Sequence, residues 1–259
     1  MSWVPNGPRF VFAPRKVDFL RLSRRNEEGR QSLVARIAIE PGTPGTIYAV
    51  VRPTRGNVYT PDSFDLVRSS EAGTPNEDWV SIVGGLQQDN PQLDPSWVAI
   101  DPVTPSTIYM GTWNDQSVYV SADRGTTWSA PVSLGAHIRK LVIDPRTAGS
   151  STSTVIFAVT DQGLFRSANS GAGGTWTNVL AEDVRSFCAS MPAGGPDAYY
   201  AGVFQKGLFA ASDPTAPANW TNLNMARSAC RLLIQRRRTS ASSMPISVRS
   251  SPPASTSCF

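Results

Sequence analysis

Two carboxylates, Asp62 and Asp65, lie at the end of the longest insertion in this chain, residues 52–65. Glycoside hydrolysis uses two such groups, an acid and a base or nucleophile, held roughly 5–9 Å apart. Asp62 and Asp65 are therefore the catalytic candidates. Three further acids each precede a proline at repeated positions, which favours turn formation: Glu40, Asp101 and Asp144.

A second group of side chains could bind an anionic ligand. Four cations lie in or just before apolar runs, and a guanidinium fork pairs bidentately with a carboxylate. An indole adds a flat face on which a sugar ring or a partner can stack. These candidate ligand-binding residues are Arg36, Arg139, Lys140, Arg185 and Trp113. The alternative is that the cations are solvated surface charges.

The run Ser-Ala-Asp-Arg-Gly-Thr-Thr-Trp at residues 121–128 predicts a structural turn between two strands. Its carboxylate can accept backbone N–H groups, its glycine can adopt a positive φ, and its indole can pack beneath the turn. The residues that we assign to this turn are Ser121, Asp123, Gly125, Thr127 and Trp128. The function of this motif is therefore structural rather than catalytic.

Altered copies of the turn recur, and their tryptophans lie 44 to 49 residues apart: Trp79, Trp128, Trp176 and Trp220. Each unit contains three short runs rich in β-branched and aromatic residues, and the stretch after the tryptophan supplies a fourth strand. Four antiparallel strands at this period are typical of a propeller blade. The alternative, a β-sandwich, leaves the constant order of these motifs unexplained.

The sequence therefore predicts an all-β fold, a β-propeller of four-stranded antiparallel blades with about four blades present and truncated relative to a longer propeller. Residues 1–225 form this propeller, with an opening strand near residues 1–12. The predicted blades span roughly residues 31–83, 96–134, 138–180 and 184–225.

Residues 31–225 resemble the Asp-box β-propellers, which carry bacterial neuraminidase repeats and include sialidases, xyloglucanases, sortilin-type receptors and photosystem II assembly factors. The 121–128 turn matches the whole motif, whereas Asn169 replaces its aspartate in the third unit. The resemblance implies that the turn faces away from the ligand-binding face and that the cations ring one mouth of a central channel. The sequence lacks the Arg-Ile-Pro motif of sialidases, which argues against that activity.

Residues 226–259 differ from the rest of the chain. They contain six arginines and no acid, so the net charge of +4 originates in this segment. The segment is either a disordered basic tail or the frameshifted remnant of a further blade, since a shifted codon frame permits acid-proline and tyrosine-alanine pairs. Nucleic-acid binding is expected only if the tail is native.

We expect a non-catalytic binding or assembly module whose carbohydrate or protein partner binds at the channel-mouth loops. The alternative is a glycoside hydrolase of the sialidase or xyloglucanase kind. The single histidine and three scattered cysteines predict no metal site, and no cofactor motif is present. No membrane span or signal peptide is readable, so a cytoplasmic location is the default. The unpaired edge of the last blade could mediate association.

Overall fold

The computed structural model describes residues 10–11, 15–17, 32–53, 64–72, 78–90, 93–190 and 196–224. Asp62 and the 226–259 segment lie outside the described residues, as does most of the predicted opening strand.

Blade 1 is a five-stranded antiparallel sheet. Two short strands come first in the chain, β1 at Phe10–Val11 and β2 at Arg15–Val17. The next four strands are β3 at Ser32–Ile39, β4 at Ile47–Pro53, β5 at Asp65–Ser69 and β6 at Trp79–Ser81. Strand β2 pairs with β6, so the order across the sheet is β2-β6-β5-β4-β3.

Blade 2 follows a single helical turn, α1 at Leu86–Asp89. Its chain forms β7 at Pro95–Ile100, β8 at Ile108–Thr112, β9 at Ser117–Ser121, β10 at Thr127–Trp128 and β11 at Val132–Ser133. The sheet has the order β7-β8-β9-β11, because β10 instead pairs with β1. The stretch after Trp128 thus supplies the fourth strand of this blade.

Blades 3 and 4 are four-stranded antiparallel sheets in chain order. Blade 3 contains β12 at Ile138–Ile143, β13 at Ile156–Thr160, β14 at Leu164–Ser167 and β15 at Trp176–Leu180. Blade 4 contains β16 at Val184–Ser190, β17 at Ala198–Val203, β18 at Gly207–Ala211 and β19 at Thr221–Asn222, with a 3-10 turn at Pro217–Asn219. The predicted all-β fold of about four antiparallel blades is confirmed.

Successive blades pack face to face, because alternate side chains of a strand point to opposite faces of its sheet. The three interfaces contain equivalent residues: Tyr48, Leu66 and Val98 between blades 1 and 2; Tyr109, Val118 and Leu141 between blades 2 and 3; Phe157, Leu164 and Phe187 between blades 3 and 4. One apolar position on the first strand of blades 2, 3 and 4 therefore packs with the second and third strands of the preceding blade.

Each first strand, which we call the inner strand, contains a β-bulge at the same place. The pairing of β3, β7, β12 and β16 with the second strand of its blade shifts by one residue near the beginning. The extra residues are Ala35, Ser96, Arg139 and Arg185. A bulge bends the strand and redirects the side chains beside it.

In the part of the chain that the structure describes, no helix is long and apolar enough to cross a membrane. Within the same residues, no group of three or more histidine, cysteine or acidic side chains is placed to hold a metal ion.

Candidate ligand-binding face

The antiparallel blades separate two ends of the molecule. The inner strands begin at one end, where the loops between second and third strands also lie; we call it the mouth end, and it holds Asp94, Trp113 and Asp183. The loops between first and second and between third and fourth strands lie at the opposite, turn end, which holds Glu40 and Asp123. The structure therefore puts the predicted cations and the 121–128 turn at different ends.

The inner strands of blades 1, 2 and 3 have equivalent residues directly after the bulge: Arg36, Trp97 and Lys140. The Arg36 guanidinium carbon lies 5.3 Å from the Trp97 ring centroid, and Lys140 Nζ lies 5.9 Å from it. Lys140 also donates to the carbonyl of Phe187 over 3.4 Å. The structure thus places two of the predicted cations, from blades 1 and 3, against one indole of blade 2.

Trp113, also at the mouth end, lies in a separate group of side chains with His137 and Arg139. Its ring stacks on His137 with centroids 4.8 Å apart, and the Arg139 guanidinium lies 5.8 Å from the Trp113 ring. His137 Nδ1 donates to the Trp113 carbonyl over 2.6 Å, and its backbone N–H donates to Asp161. The single histidine therefore contacts residues of both blade 2 and blade 3, and it stacks on the ring of Trp113.

Arg139 and Arg185, the two bulge arginines, share one carboxylate. Asp183 accepts from Arg139 over 2.6 Å across the interface between blades 3 and 4, and from Arg185 over 2.7 Å within blade 4. Burial opposes ionisation of Asp183, but these two arginines outweigh it and hold its pKa below the usual value. The Arg185 guanidinium also lies 4.5 Å from the Phe204 ring centroid.

Asp94, which the sequence did not single out, is the buried acid of the mouth end. Its carboxylate accepts the backbone N–H groups of Trp113 and Asn114 over 3.1 Å and 2.7 Å. Burial raises its pKa to about 6, although these hydrogen bonds and the nearby Arg52 act in the opposite direction. Asp94 immediately precedes an inner strand, as does Asp183, and this shared position was the available sequence signal.

At the turn end, the 121–128 turn has the predicted internal hydrogen bonds. Asp123 accepts from the Thr127 backbone and hydroxyl over 2.8 Å and 2.6 Å and from the Ser121 hydroxyl over 2.8 Å. Partial burial opposes its ionisation, but these bonds keep the pKa of Asp123 below its usual value. Gly125 has a φ of +85°, and an added Cβ would lie 2.5 Å from Ile82 Cδ1.

The same turn joins blade 2 to blade 1. The buried Trp128 indole donates to the Ile82 carbonyl over 2.7 Å, and Arg124 forms a bidentate ion pair with Glu40 at 3.0 Å. In blade 4, Ala211 occupies the position of Ser121. Ser121 pairs with Ile108, the residue before Tyr109, and Ala211 pairs with Tyr199, the residue before Tyr200. The turn motif is therefore complete in blade 2 and altered in blade 4.

Only one member of the predicted carboxylate pair lies within the described residues. Asp65 begins β5 and accepts from the Ser81 hydroxyl over 2.7 Å, while Asp62 lies outside the described part of the chain. The acids that precede prolines lie at the turn end, where Asp101 and Asp144 accept local backbone N–H groups and Glu40 pairs with Arg124. Asp101, for example, accepts the backbone N–H groups of Val103, Thr104 and Gly149.

No family model matches this chain, and no curated protein matches it. Among solved structures, the chain is similar to the GH74 enzyme of Niastella koreensis, with TM-score 0.49 and 19% identity over 73% of this chain and 30% of that chain. An ancestral GH74 enzyme gives TM-score 0.49 and 14% identity over 73% and 25%, respectively. The GH74 xyloglucanase from Xanthomonas campestris gives TM-score 0.47 and 16% identity over 73% and 30%.

The chain therefore spans between a quarter and a third of these three proteins. At such identities and TM-scores, the similarity carries no argument about activity. The fold assignment rests on the strand order and registers of the chain itself.

Proposed function

We propose that this chain is a non-catalytic binding module that takes an acidic ligand, a carbohydrate or a protein segment, at its mouth end. The observation that carries the proposal is the group Arg36, Trp97 and Lys140. Two cations from different blades lie against one indole, and neither has a carboxylate partner among the described residues. A cation that lacks an internal counterion can pair with the carboxylate of a ligand.

Three described acids at the mouth end favour binding over hydrolysis. Asp183 is neutralised by two arginines, Asp94 is buried beneath backbone donors, and Asp161 accepts from the His137 backbone. Each of these carboxylates holds part of the structure in place. A glycosidase needs two carboxylates free to face its substrate from opposite sides of the scissile bond.

Calorimetric titration with two acidic probes, a hexamer of galacturonic acid and a hexaglutamate peptide, tests this function. We expect one of them to bind at low ionic strength and the double variant Arg36→Gln, Lys140→Gln to bind it at least about 10-fold more weakly, because each charged contact contributes roughly 1.5–3 kcal/mol. Binding should also weaken as salt screens the cations.

Arg166→Gln is the matched control, since Arg166 lies on β14 towards the turn end and its loss removes the same charge. The affinity of this variant should equal that of the unmodified chain. Binding of neither probe, or equal losses in the control and the double variant, would refute the proposal. The probe that binds distinguishes a carbohydrate ligand from a protein one.

A glycoside hydrolase is the second candidate function, and one observation favours it. Asp94 lies at the mouth end with a pKa near 6, which suits a general acid at neutral pH. Incubation with an aryl-sialoside and with a soluble β-glucan tests this candidate. Turnover that disappears in Asp94→Asn would replace binding by hydrolysis as the function, whereas no turnover leaves binding as the function.

A further inference from the structure

The inner strand of blade 1 exposes an apolar position that every later blade buries. Ile37 is 66% exposed, whereas the residues at the same register in blades 2, 3 and 4 are almost fully buried: Val98 at 4%, Leu141 at 2% and Phe187 at 3%. Each buried equivalent packs against the preceding blade. Ile39, on the same face of blade 1, is exposed as well. We call this surface the rear face.

The third strand of blade 4 exposes an apolar position that blades 1, 2 and 3 bury. Leu208 is 41% exposed, whereas its equivalents on the third strands of blades 1, 2 and 3 are fully buried: Leu66, Val118 and Leu164, each at 0%. Those three residues pack against the following blade. Tyr200, which corresponds to the buried Tyr48 and Tyr109, is only partly buried. We call this surface of blade 4 the front face.

The front and rear faces have the chemistry of two sides of one blade interface. Where blade 3 meets blade 4, Leu164 belongs to the same cluster as Phe187, and Phe157 lies with its ring centroid 4.9 Å from that of Phe187. On the front face, Leu208 and Tyr200 are the equivalents of Leu164 and Phe157. On the rear face, Ile37 is the equivalent of Phe187. Within the described residues, no sheet packs against either face.

We propose that the occupant is a second copy of this chain, and that the front face of each copy packs on the rear face of the other. Such an interface between unlike surfaces gives a closed ring if the rotation closes. The four described blades of two copies together number eight, which lies within the known range of about four to eight for propellers. A four-blade ring within one chain is excluded, because it would bury Ile37 and Leu208 against each other.

Sedimentation velocity and light scattering over a range of concentrations test this arrangement. We expect a species of twice the 27.9 kDa chain mass. Ile37→Lys and Leu208→Glu should each raise the dimer dissociation constant at least about 30-fold, since a charge then enters an apolar contact. Both residues are exposed in the single chain, so melting followed by circular dichroism should show an unchanged monomer fold.

Val103→Lys is the matched control, because Val103 is equally exposed but lies at the turn end, outside both faces. Its dissociation constant should not change. Mixing the Ile37→Lys and Leu208→Glu chains supplies a sharper measurement. A mixed dimer has one unmodified interface and one that pairs lysine with glutamate, so mixing should restore the dimer that each variant lacks.

A chain that stays monomeric at every concentration would overturn the proposal. A dimer equally sensitive to Val103→Lys, a mixture that fails to recover, or a series of species heavier than the dimer would overturn it too. The proposal is independent of the ligand at the mouth end, and mass and ligand affinity are measured separately. Failure of one proposal is therefore distinguishable from failure of the other.

Discussion

The two ends of this molecule use acidic side chains in different ways. At the turn end, Asp101 and Asp123 accept mainly local backbone and hydroxyl groups and form part of tight turns. At the mouth end, Asp183 joins two blades through arginines, while Asp94 is buried with a raised pKa. The turn end thus combines tight local turns with contacts between blades 1 and 2, whereas the mouth end has cations without a carboxylate partner among the described residues.

The segment with the clearest sequence motif is therefore not the segment whose polar groups lack internal partners. The 121–128 turn is the clearest motif of the chain, yet its polar groups are already hydrogen-bonded to each other. The mouth end has no comparable motif, and its cations come from separate blades. Three sets of measurements, on five variants, can test this contrast between the two ends.

The largest effect is expected for Trp128→Ala. Trp128 is buried between blades 1 and 2 and donates to the Ile82 carbonyl, so its truncation should cost about 3–5 kcal/mol of unfolding free energy. Trp113→Ala, at the mouth end, removes a half-buried indole and should cost less. Denaturant titration of both variants measures the difference. Equal losses of unfolding free energy in the two variants would contradict the larger contribution of Trp128 to stability.

The next effect concerns Asp94, whose pKa in the folded chain lies above its unfolded value. Its contribution to stability is therefore complete below about pH 4 and lost as the pH rises through about 6, a change of about 2–3 kcal/mol. Asp94→Asn keeps an acceptor for the Trp113 and Asn114 amides without the charge. Melting temperatures from pH 4 to 7.5 should show the variant gaining stability over the unmodified chain as the pH rises, and a constant difference would refute this.

The smallest effect is expected for Asp123→Ala, which should cost on the order of 1–3 kcal/mol because several turn hydrogen bonds disappear. Asn169 occupies the corresponding position in blade 3. Its backbone N–H donates to the Ser167 hydroxyl and its carbonyl accepts from the Ala172 N–H, but its side chain makes no hydrogen bond to the described residues. Asn169→Ala should therefore change stability by less than about 0.5 kcal/mol. Thermal unfolding of the pair measures this, and unchanged melting of Asp123→Ala would contradict the structural role of the turn.

Most of the fold could be predicted because each strand is defined by local residues. The tryptophan spacing, the apolar runs and the turn residues all lie within single units of the repeat. The pairing of β10 with β1 and the ion pair between Arg124 and Glu40 could not be predicted, because they join residues far apart in sequence. Helix α1 is one turn long, which is too short to produce a helical pattern.

The candidate site was predictable only as a set of residue types. The cations Arg36 and Lys140 were recognisable at the beginnings of apolar runs, but their contact with Trp97 depends on how neighbouring blades pack. The burial of Asp94 depends likewise on the loop that contains Asn114. Asp62 and Asp65 were selected for their place in an insertion. Asp65 accepts a hydrogen bond from Ser81, and Asp62 lies outside the described residues, so this pair stays a prediction.

The repeated bulge of the inner strands has a consequence for how this fold can diversify. The backbone makes the same detour in four blades although the bulge residues are alanine, serine and two arginines: Ala35, Ser96, Arg139 and Arg185. The detour thus forms with three different residue types, although Arg139 and Arg185 also pair with Asp183 across and within blades. Because the strand pairing is the same in all four blades, substitutions at these positions can change the side chains that one blade displays without altering the backbone path of the others.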